Sequence, residues 1–190
     1  MRLSLALALA MLTATTPALA EPGFAEVNNA RFLERVSLSD AALELKGTGL
    51  GRFAWVIKVC AAALYGPPEV PVEELPLSDV SKRLEIEYFV AVSRENFVEA
   101  AMRALIKQQS REDLAAMSRA LDKLHALYSD VQAGDRYALS YTPGQGLILE
   151  LNGEEVGRVR EGAEFAQAYF GIWLGDKPIS NSLRRGLLGG

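Results

Sequence analysis

The stretch from Leu43 to Tyr65, LELKGTGLGRFAWVIKVCAAALY, places the strongest constraint on how this chain can fold. It begins with alternating apolar and charged residues, continues through three glycines, and ends in an apolar run that only Lys58 interrupts. Alternation is typical of a half-buried β-strand, and a short apolar run is typical of a fully buried one. Glycines in such a sequence indicate a bulge or a close backbone approach. We therefore predict a hairpin or bent strand pair, with Arg52 at the bend and residues 56–65 in the centre of a sheet.

The first twenty residues, MRLSLALALAMLTATTPALA, have the features of a secretory signal peptide. Arg2 precedes an apolar stretch, and Ala18, Leu19 and Ala20 form the small-x-small motif that signal peptidase cleaves. The apolar stretch is short for a membrane span, although an uncleaved anchor is the alternative. We predict a Sec signal over residues 1–20 that is cleaved after Ala20, and a periplasmic or secreted mature protein without a stable membrane anchor.

Composition limits the remaining chain to a few classes of protein. A mature chain of about 170 residues suits a single domain, residues 21–190. The net charge of −4 argues against nucleic acid and anionic lipid surfaces as partners, because both require clustered positive charge. One cysteine, Cys60, and one histidine, His125, cannot build a typical zinc site. We therefore expect no metal and no cofactor, a monomer, and a surface or boundary position for His125 on a helix.

Turn and cap residues divide the rest of the chain into strands and helices. Residues 21–30 are predicted to be an irregular lead-in, and four prolines make residues 67–76 a surface loop. Ser93 and Ser110 are predicted helix caps, and Gly175 is a predicted left-handed cap. Strands are predicted over residues 31–38, 84–92, 136–142, 147–151 and 156–159. This order predicts an α+β fold, a large and mainly antiparallel sheet with helices layered on one face.

Two blocks of the sequence share a pattern with a known family. The first, GTGLGRFAWVIKVCAAALYGP, has a glycine-rich bend with an arginine, then Lys-Val and Ala-Leu-Tyr. The second, GDRYALSYTPGQGLILELNGEEVGRVREGAEFAQAYFGIWLGDKPISNSLRRGLLG, ends in Trp-Leu-Gly-Asp-x-Pro-Ile-Ser. Together they resemble the bacterial chalcone isomerase-like proteins, which are typically secreted. The resemblance implies the chalcone isomerase fold, with a ligand cleft between sheet and helices. Plant enzymes of this fold close a flavanone ring, and related plastid proteins bind fatty acids.

The resemblance also implies where the polar residues of the plant enzymes fall in this chain. Their bend arginine, which holds the developing oxyanion, corresponds to Arg52, or to Gly51 by strict counting. Their catalytic threonine falls at Cys60, their tyrosine at Phe97 and their asparagine near Ala104. Loss of one such donor commonly costs about 3 kcal/mol of transition-state stabilisation. An arginine stays protonated and cannot replace general acid-base groups. We therefore expect no catalytic residues.

These replacements favour binding over chemistry. We hypothesise a secreted, non-catalytic, lipid-binding protein that holds a fatty acid or a similar small apolar acid in the cleft. Arg52 would pair with the carboxylate, since such a pair is charge-assisted and can be bidentate. The alternative for Arg52 is a structural ion pair or exposure at a strand bend. The other candidate ligand-binding residues are Ile57, Val59, Cys60, Phe97, Met102 and Trp173.

Two other functions stay open from the sequence. One is an intramolecular lyase or isomerase of the chalcone isomerase type. The other is a ligand-free envelope protein that binds a partner through an apolar face. The helix over residues 114–128 has apolar residues at a spacing of three and four and could supply such a face. A stripe of this kind more often packs on the sheet of its own domain.

Overall fold

The computed structural model describes residues 23–53 and 57–190. The predicted signal peptide and residues 54–56 of the central stretch lie outside these ranges. Within them, the strands and helices run in the following order: β1 (Phe24–Val27), β2 (Ala30–Leu33), β3 (Arg35–Leu38), β4 (Ala41–Phe53), β5 (Ile57–Gly66), β6 (Lys82–Tyr88), α1 (Arg94–Gln108), α2 (Arg111–Leu127), β7 (Arg136–Thr142), β8 (Gly146–Leu151), β9 (Glu154–Val159), α3 (Ala163–Leu174) and α4 (Asn181–Leu187).

Strands β3 to β9 form one antiparallel sheet in the order of the chain. Most neighbouring strands are joined by short turns, whereas α1 and α2 both lie between β6 and β7. The predicted mainly antiparallel sheet with helices is therefore confirmed. No helix in the described ranges is long and apolar enough to cross a membrane.

The central stretch forms the predicted strand pair. Strands β4 and β5 pair antiparallel, with Gly51 opposite Cys60 and Arg52 opposite Lys58. The pairing shifts by one residue between Gly51 and Arg52, where Val59 is the extra residue of β5. Such a bulge bends a strand and lets neighbouring residues face the same side. The glycine-rich end of β4 is thus a bulged strand end with Arg52 beside the bulge.

The glycines of β4 allow the backbone of α4 to lie directly on the strand. A Cβ on Gly47 would lie 2.4 Å from the carbonyl oxygen of Leu187, and one on Gly49 would lie 2.8 Å from that of Leu183. The contact is reciprocal, because a Cβ on Gly186 would lie 2.5 Å from the carbonyl oxygen of Thr48. A side chain at any of these glycines would force the helix away from the sheet.

Strand β5 contains a long apolar run because both faces of the sheet are buried along that part of the strand. Successive side chains of a strand point to opposite faces. Cys60, Ala62 and Leu64 belong to the larger core between the sheet and the helices. Ala61, Ala63 and Tyr65 belong to a second core, which the β1–β2 hairpin covers. Every position from Cys60 to Tyr65 is therefore buried.

The β1–β2 hairpin corrects the prediction of an irregular lead-in over residues 21–30. Phe24–Val27 pairs antiparallel with Ala30–Leu33. The two turn residues, Asn28 and Asn29, have φ values of 50° and 73°. Asparagine tolerates this left-handed conformation, which a two-residue hairpin turn requires. The Asn-Asn pair was the available signal for this hairpin.

The helix caps are confirmed at two of the three predicted positions. The hydroxyl of Ser93 accepts from the backbone N–H of Asn96 at 3.3 Å, and that of Ser110 accepts from Asp113 at 3.1 Å. Gly175 is not left-handed, since its φ is −74°. A Cβ there would lie 2.0 Å from Oε1 of Gln108 and 2.8 Å from the carbonyl oxygen of Gly171, so a side chain at this position would displace Gln108.

The proline-rich loop is attached to the domain by a buried lysine. Lys82 is fully buried, and its ammonium donates to the carbonyl oxygens of Leu75 at 2.5 Å and Ser78 at 2.7 Å. Burial lowers the pKa of Lys82 to about 8. Nearby, the hydroxyl of Tyr141 donates to Asp79 at 2.7 Å. Polar anchors of this kind compensate for the lack of regular structure in the loop.

The contact between β4 and α4 yields the first testable prediction. We expect Gly47→Val to lower the free energy of unfolding by about 2 kcal/mol or more, because an overpacked contact with backbone cannot relax cheaply. Thr48→Val is the matched control, since Thr48 is the next residue of β4 and pairs with Ala63 of the second core. Urea unfolding of both variants measures the difference. Equal stability of the two variants would contradict the close backbone contact.

Candidate ligand-binding cavity

A cavity of about 710 Å³ lies between the sheet and the helices. Its lining comes from β4 to β8, from α1 and α3, and from the segment that leads into α4. Its volume lies within the range of small-molecule sites in proteins. A second groove of about 1440 Å³ runs over the outer side of α2 and α3, but its charged residues are of both signs and it is more open. The inner cavity is therefore the candidate site.

The sheet forms an apolar floor for this cavity. Leu84, Ile86 and Tyr88 alternate along β6 and so face the same side, and Tyr137 and Leu139 do the same in β7. These side chains are all at most 8% exposed. An apolar ligand on this floor would be shielded from water by the helices above it.

Helix α1 forms one wall, and small residues keep that wall thin. Lining residues recur at helical spacing, so that they share one side of the helix. Ala100, Ala101 and Ala104 lie in the middle of this side, and Arg103 and Lys107 lie towards the end of the helix. The alanines leave room where larger side chains would fill the cavity.

Aromatic rings form the deepest part of the lining. Phe97 stacks on Tyr128 with ring centroids 5.5 Å apart, and it meets Tyr88 and Tyr137 edge to face at 5.2 and 5.5 Å. Edge-to-face and stacked pairs of this kind hold the rings in fixed orientations. Sequence reasoning found Phe97 but missed the four tyrosines of the lining, Tyr88, Tyr128, Tyr137 and Tyr169. The signal for two of them was the alternation of Tyr88 and Tyr137 with buried aliphatic residues.

The hydroxyl and thiol groups of the lining are neutral near pH 7. Burial raises the pKa of Tyr128 to about 12, and it raises the pKa of Tyr88 and Tyr169 well above the usual range. Burial likewise raises the pKa of the Cys60 thiol to about 11. The hydroxyl of Tyr169 donates to that of Tyr128 at 3.2 Å. These groups can orient a ligand by hydrogen bonds, but they do not supply charge.

The charged residues of the cavity lining all carry positive charge. They are Arg52, Arg103 and Lys107, and no aspartate or glutamate lines the described part of the cavity. Glu99 is the carboxylate that Arg103 meets, at 3.6 Å across an exposed pair. Exposed pairs of this kind are worth little because water and salt screen them. The cavity therefore presents a local excess of cations in a chain whose net charge is −4.

The structure brings most of the sequence-predicted site residues to this one cavity. Its lining includes Arg52, Val59, Cys60, Phe97 and Trp173. It also includes Gly51 and Ala104, so the positions to which the resemblance assigns the polar residues of the plant enzymes border the same space.

Ile57 and Met102 are corrections to the predicted site, because neither lines the cavity. Ile57 is 52% exposed at the start of β5, and β6 pairs with β5 only from Cys60 onward. Ile57 thus extends beyond the neighbouring strand that forms the floor. Met102 packs against the larger core from a different side of α1 than the alanines.

Comparisons with known proteins agree with this architecture. A family model described as chalcone isomerase-like matches residues 24–189. The chain belongs to the chalcone isomerase-like family. A crystal structure of an Arabidopsis thaliana fatty-acid binding protein shares the fold of this family member with a TM-score of 0.66 and 16% sequence identity. The match covers 87% of this chain and 96% of that one. A search of curated proteins found no significant match.

The chalcone isomerase-like fold is therefore confirmed, and it places the cavity where the resemblance implied a cleft. The low identity to the Arabidopsis thaliana protein bears on the fold alone. The chemistry of the site in this family member has to be argued from its own residues.

His125 lies next to the cavity wall and is buried, which corrects the predicted surface position. It is 7% exposed, and its ring centroid lies 5.9 Å from that of Tyr169. Its Nε2 atom is buried without a hydrogen-bond partner among the described residues. Burial lowers the pKa of His125, and nearby Asp122 only partly offsets this. The helical stripe of α2 is wide enough to include residue 125 together with Leu121 and Leu124.

His125 predicts a pH dependence of stability. A histidine with a lowered pKa in the folded state binds fewer protons than in the unfolded state, so stability falls as pH drops below about 6.5. For one titrating group, the free energy of unfolding changes by at most about 1.4 kcal/mol per pH unit. We expect His125→Phe to lose less stability than the natural protein between about pH 7 and pH 5.5 in urea unfolding. Since the sequence has one histidine, parallel curves for the two proteins would refute this role.

Proposed function

We propose that this chalcone isomerase-like protein binds a fatty acid or a similar small apolar acid in the cavity, without catalysing a reaction on it. The observation that carries this proposal is the composition of the lining. Apolar and aromatic residues form most of it, and its charged residues are three cations. An apolar body with an anionic head is the ligand class that such a lining complements.

The apolar part of the ligand would lie between the sheet floor and the alanines of α1. Each methylene group removed from water contributes about 0.8 kcal/mol to binding. The lining offers few groups that could satisfy a ligand rich in hydroxyls, because the hydroxyls of Tyr137 and Tyr169 already donate within the protein, to Ser129 and to Tyr128. This favours hydrocarbon over sugar or nucleotide as the body of the ligand.

Arg52 is our candidate anchor for the carboxylate. It borders the cavity at the end of β4 and is exposed, so a head group there could keep part of its hydration. A guanidinium can donate two parallel hydrogen bonds to a carboxylate. Arg103 and Lys107 would add electrostatic attraction from α1. The same lining would disfavour an amine, because no carboxylate in it could compensate a second positive charge.

Binding is favoured over isomerisation by the state of the reactive groups. Catalytic acids and bases work best when their pKa lies near the working pH. The phenols of Tyr88, Tyr128 and Tyr169 have a raised pKa, and the Cys60 thiol has a pKa of about 11. Phe97 and Ala104 stand where the resemblance implies a phenol and an amide. The printed description of the Arabidopsis thaliana neighbour as fatty-acid binding supports the same ligand class here.

The experiment is a titration of delipidated protein with hexadecanoate and with hexadecanol. Charge-assisted hydrogen bonds are worth about 1.5–3 kcal/mol when they are buried, and solvent screening at the exposed Arg52 reduces this to about 1 kcal/mol, which is about a fivefold change in Kd. We expect the natural protein to prefer the acid, and Arg52→Ala to weaken acid binding by about that factor while leaving the alcohol nearly unaffected. Fluorescence of the cavity tryptophan, Trp173, or calorimetry can follow binding.

Arg35→Ala is the matched control, since Arg35 is an exposed cation of the same sheet that pairs with Glu44 outside the cavity. It should retain the acid preference. An unchanged preference in Arg52→Ala would remove Arg52 as the anchor. Failure of the natural protein to bind hexadecanoate at all would overturn the proposed ligand class.

We also propose that residues 1–20 are a cleaved signal and that residues 21–190 form the mature protein in the periplasm or outside the cell. The prediction is that protein expressed with its leader in a bacterial host is recovered from the periplasmic fraction with Glu21 as its first residue. Intact mass and N-terminal sequencing measure this. Ala20→Leu should block cleavage, because signal peptidase needs a small residue at that position. Full-length protein in the cytosol would exclude export.

A further inference from the structure

Exposed residues in the lining mark where the cavity opens to solvent. Arg52, Arg103 and Lys107 are exposed, and Ile179 is 48% exposed on the segment before α4. The mouth is therefore bordered by α1, by the end of β4 and by residues 178–180. A ligand must pass between these groups to enter the cavity.

Two exposed aliphatic side chains lie near these cations, one on α1 and one in the cavity lining. Ile106 is 61% exposed on α1, within one helical turn of both Arg103 and Lys107. Ile179 lines the cavity from the segment before α4. We call these five residues, Arg52, Arg103, Ile106, Lys107 and Ile179, the cationic rim. The rim thus combines apolar side chains, from two exposed isoleucines, with positive charge, from three cations, and both contribute to binding at a membrane surface.

We propose that the cationic rim docks the protein reversibly on an anionic lipid bilayer, with the mouth of the cavity facing the lipid. Anionic bilayers attract lysine and arginine close to their surface, and apolar side chains at the headgroup level add to the attraction. The attraction acts over about 10 Å, so local charge decides it and the net charge of −4 does not. The acidic remainder of the chain would be repelled and would help to turn the rim towards the membrane.

The bilayer is favoured over an acidic protein by the position of the rim around the opening. The purpose of docking rests on the proposed function. An apolar acid partitions into bilayers, and if the mouth contacts the lipid, the acid can enter the cavity without its hydrocarbon chain being exposed to water. The isoleucines would meet an apolar phase on the bilayer, whereas an acidic protein surface would offer them none. The docking itself needs no ligand and can be measured on the empty protein.

The experiment is co-sedimentation of delipidated protein with vesicles. We expect partitioning onto vesicles of equal parts phosphatidylglycerol and phosphatidylcholine, little onto phosphatidylcholine alone, and a loss on raising salt from about 0.05 M to about 0.5 M. The double variant Arg103→Glu, Lys107→Glu should lower partitioning about tenfold or more. Ile106→Ser changes no charge and should lower it by about threefold.

The matched control is the double variant Lys123→Glu, Arg160→Glu. It changes net charge equally at exposed residues outside the cavity lining, and it should partition like the natural protein. Thermal unfolding verifies that each variant is folded. Equal losses of vesicle binding in the two double variants would overturn the proposed docking. So would a failure of the natural protein to partition onto anionic vesicles, which is also the result expected if the rim binds an acidic protein instead. Vesicle binding by a protein that fails to bind hexadecanoate would uphold the docking and reject the proposed ligand.

Discussion

The architecture depends on one contact, in which the backbone of α4 lies on the backbone of β4. The contact exists because Gly47 and Gly49 leave no side chain between the two elements. It fixes Leu183 and the residues before it against the sheet, and these residues close one side of the cavity. A helix held further away would widen the cavity beside Gly51 and Arg52 at the end of β4. The glycine run, which has no chemistry of its own, therefore determines the shape of the site.

The division of β5 between two cores explains why the cavity occupies only one face of the sheet. The β1–β2 hairpin covers the other face, where Phe32 of the hairpin and Leu43 of β4 are both fully buried. On the helix face, alanines of α1 stand where bulkier residues could have completed the packing. Protein interiors are normally packed densely, and the space that small residues keep open here beside large aromatic rings is the one that our proposed ligand would occupy.

Much of the fold could be predicted because its signals are local. The bulged strand pair, the caps at Ser93 and Ser110 and the antiparallel order all follow from residues close in the sequence. The cavity was predicted only in part. Arg52, Val59, Cys60, Phe97 and Trp173 came from the resemblance and from apolar runs, whereas Tyr128 and Tyr169 meet across two helices 41 residues apart. Ile57 was misplaced because nothing in the sequence states where β6 begins to pair with β5.

The bulge between Gly51 and Arg52 has a consequence for how relatives of this protein should be compared. In a regular strand, adjacent residues face opposite sides, yet Gly51 and Arg52 both border the cavity, as do Val59 and Cys60. A side chain at position 51 would face the same space, but its Cβ would lie 2.6 Å from Sγ of Cys60, so residue 60 would have to change with it. During divergence, an arginine could therefore move by one residue along β4 and still border the cavity if residue 60 changed with it, so equivalence between distant relatives is better judged from positions in the cavity than from a column of an alignment.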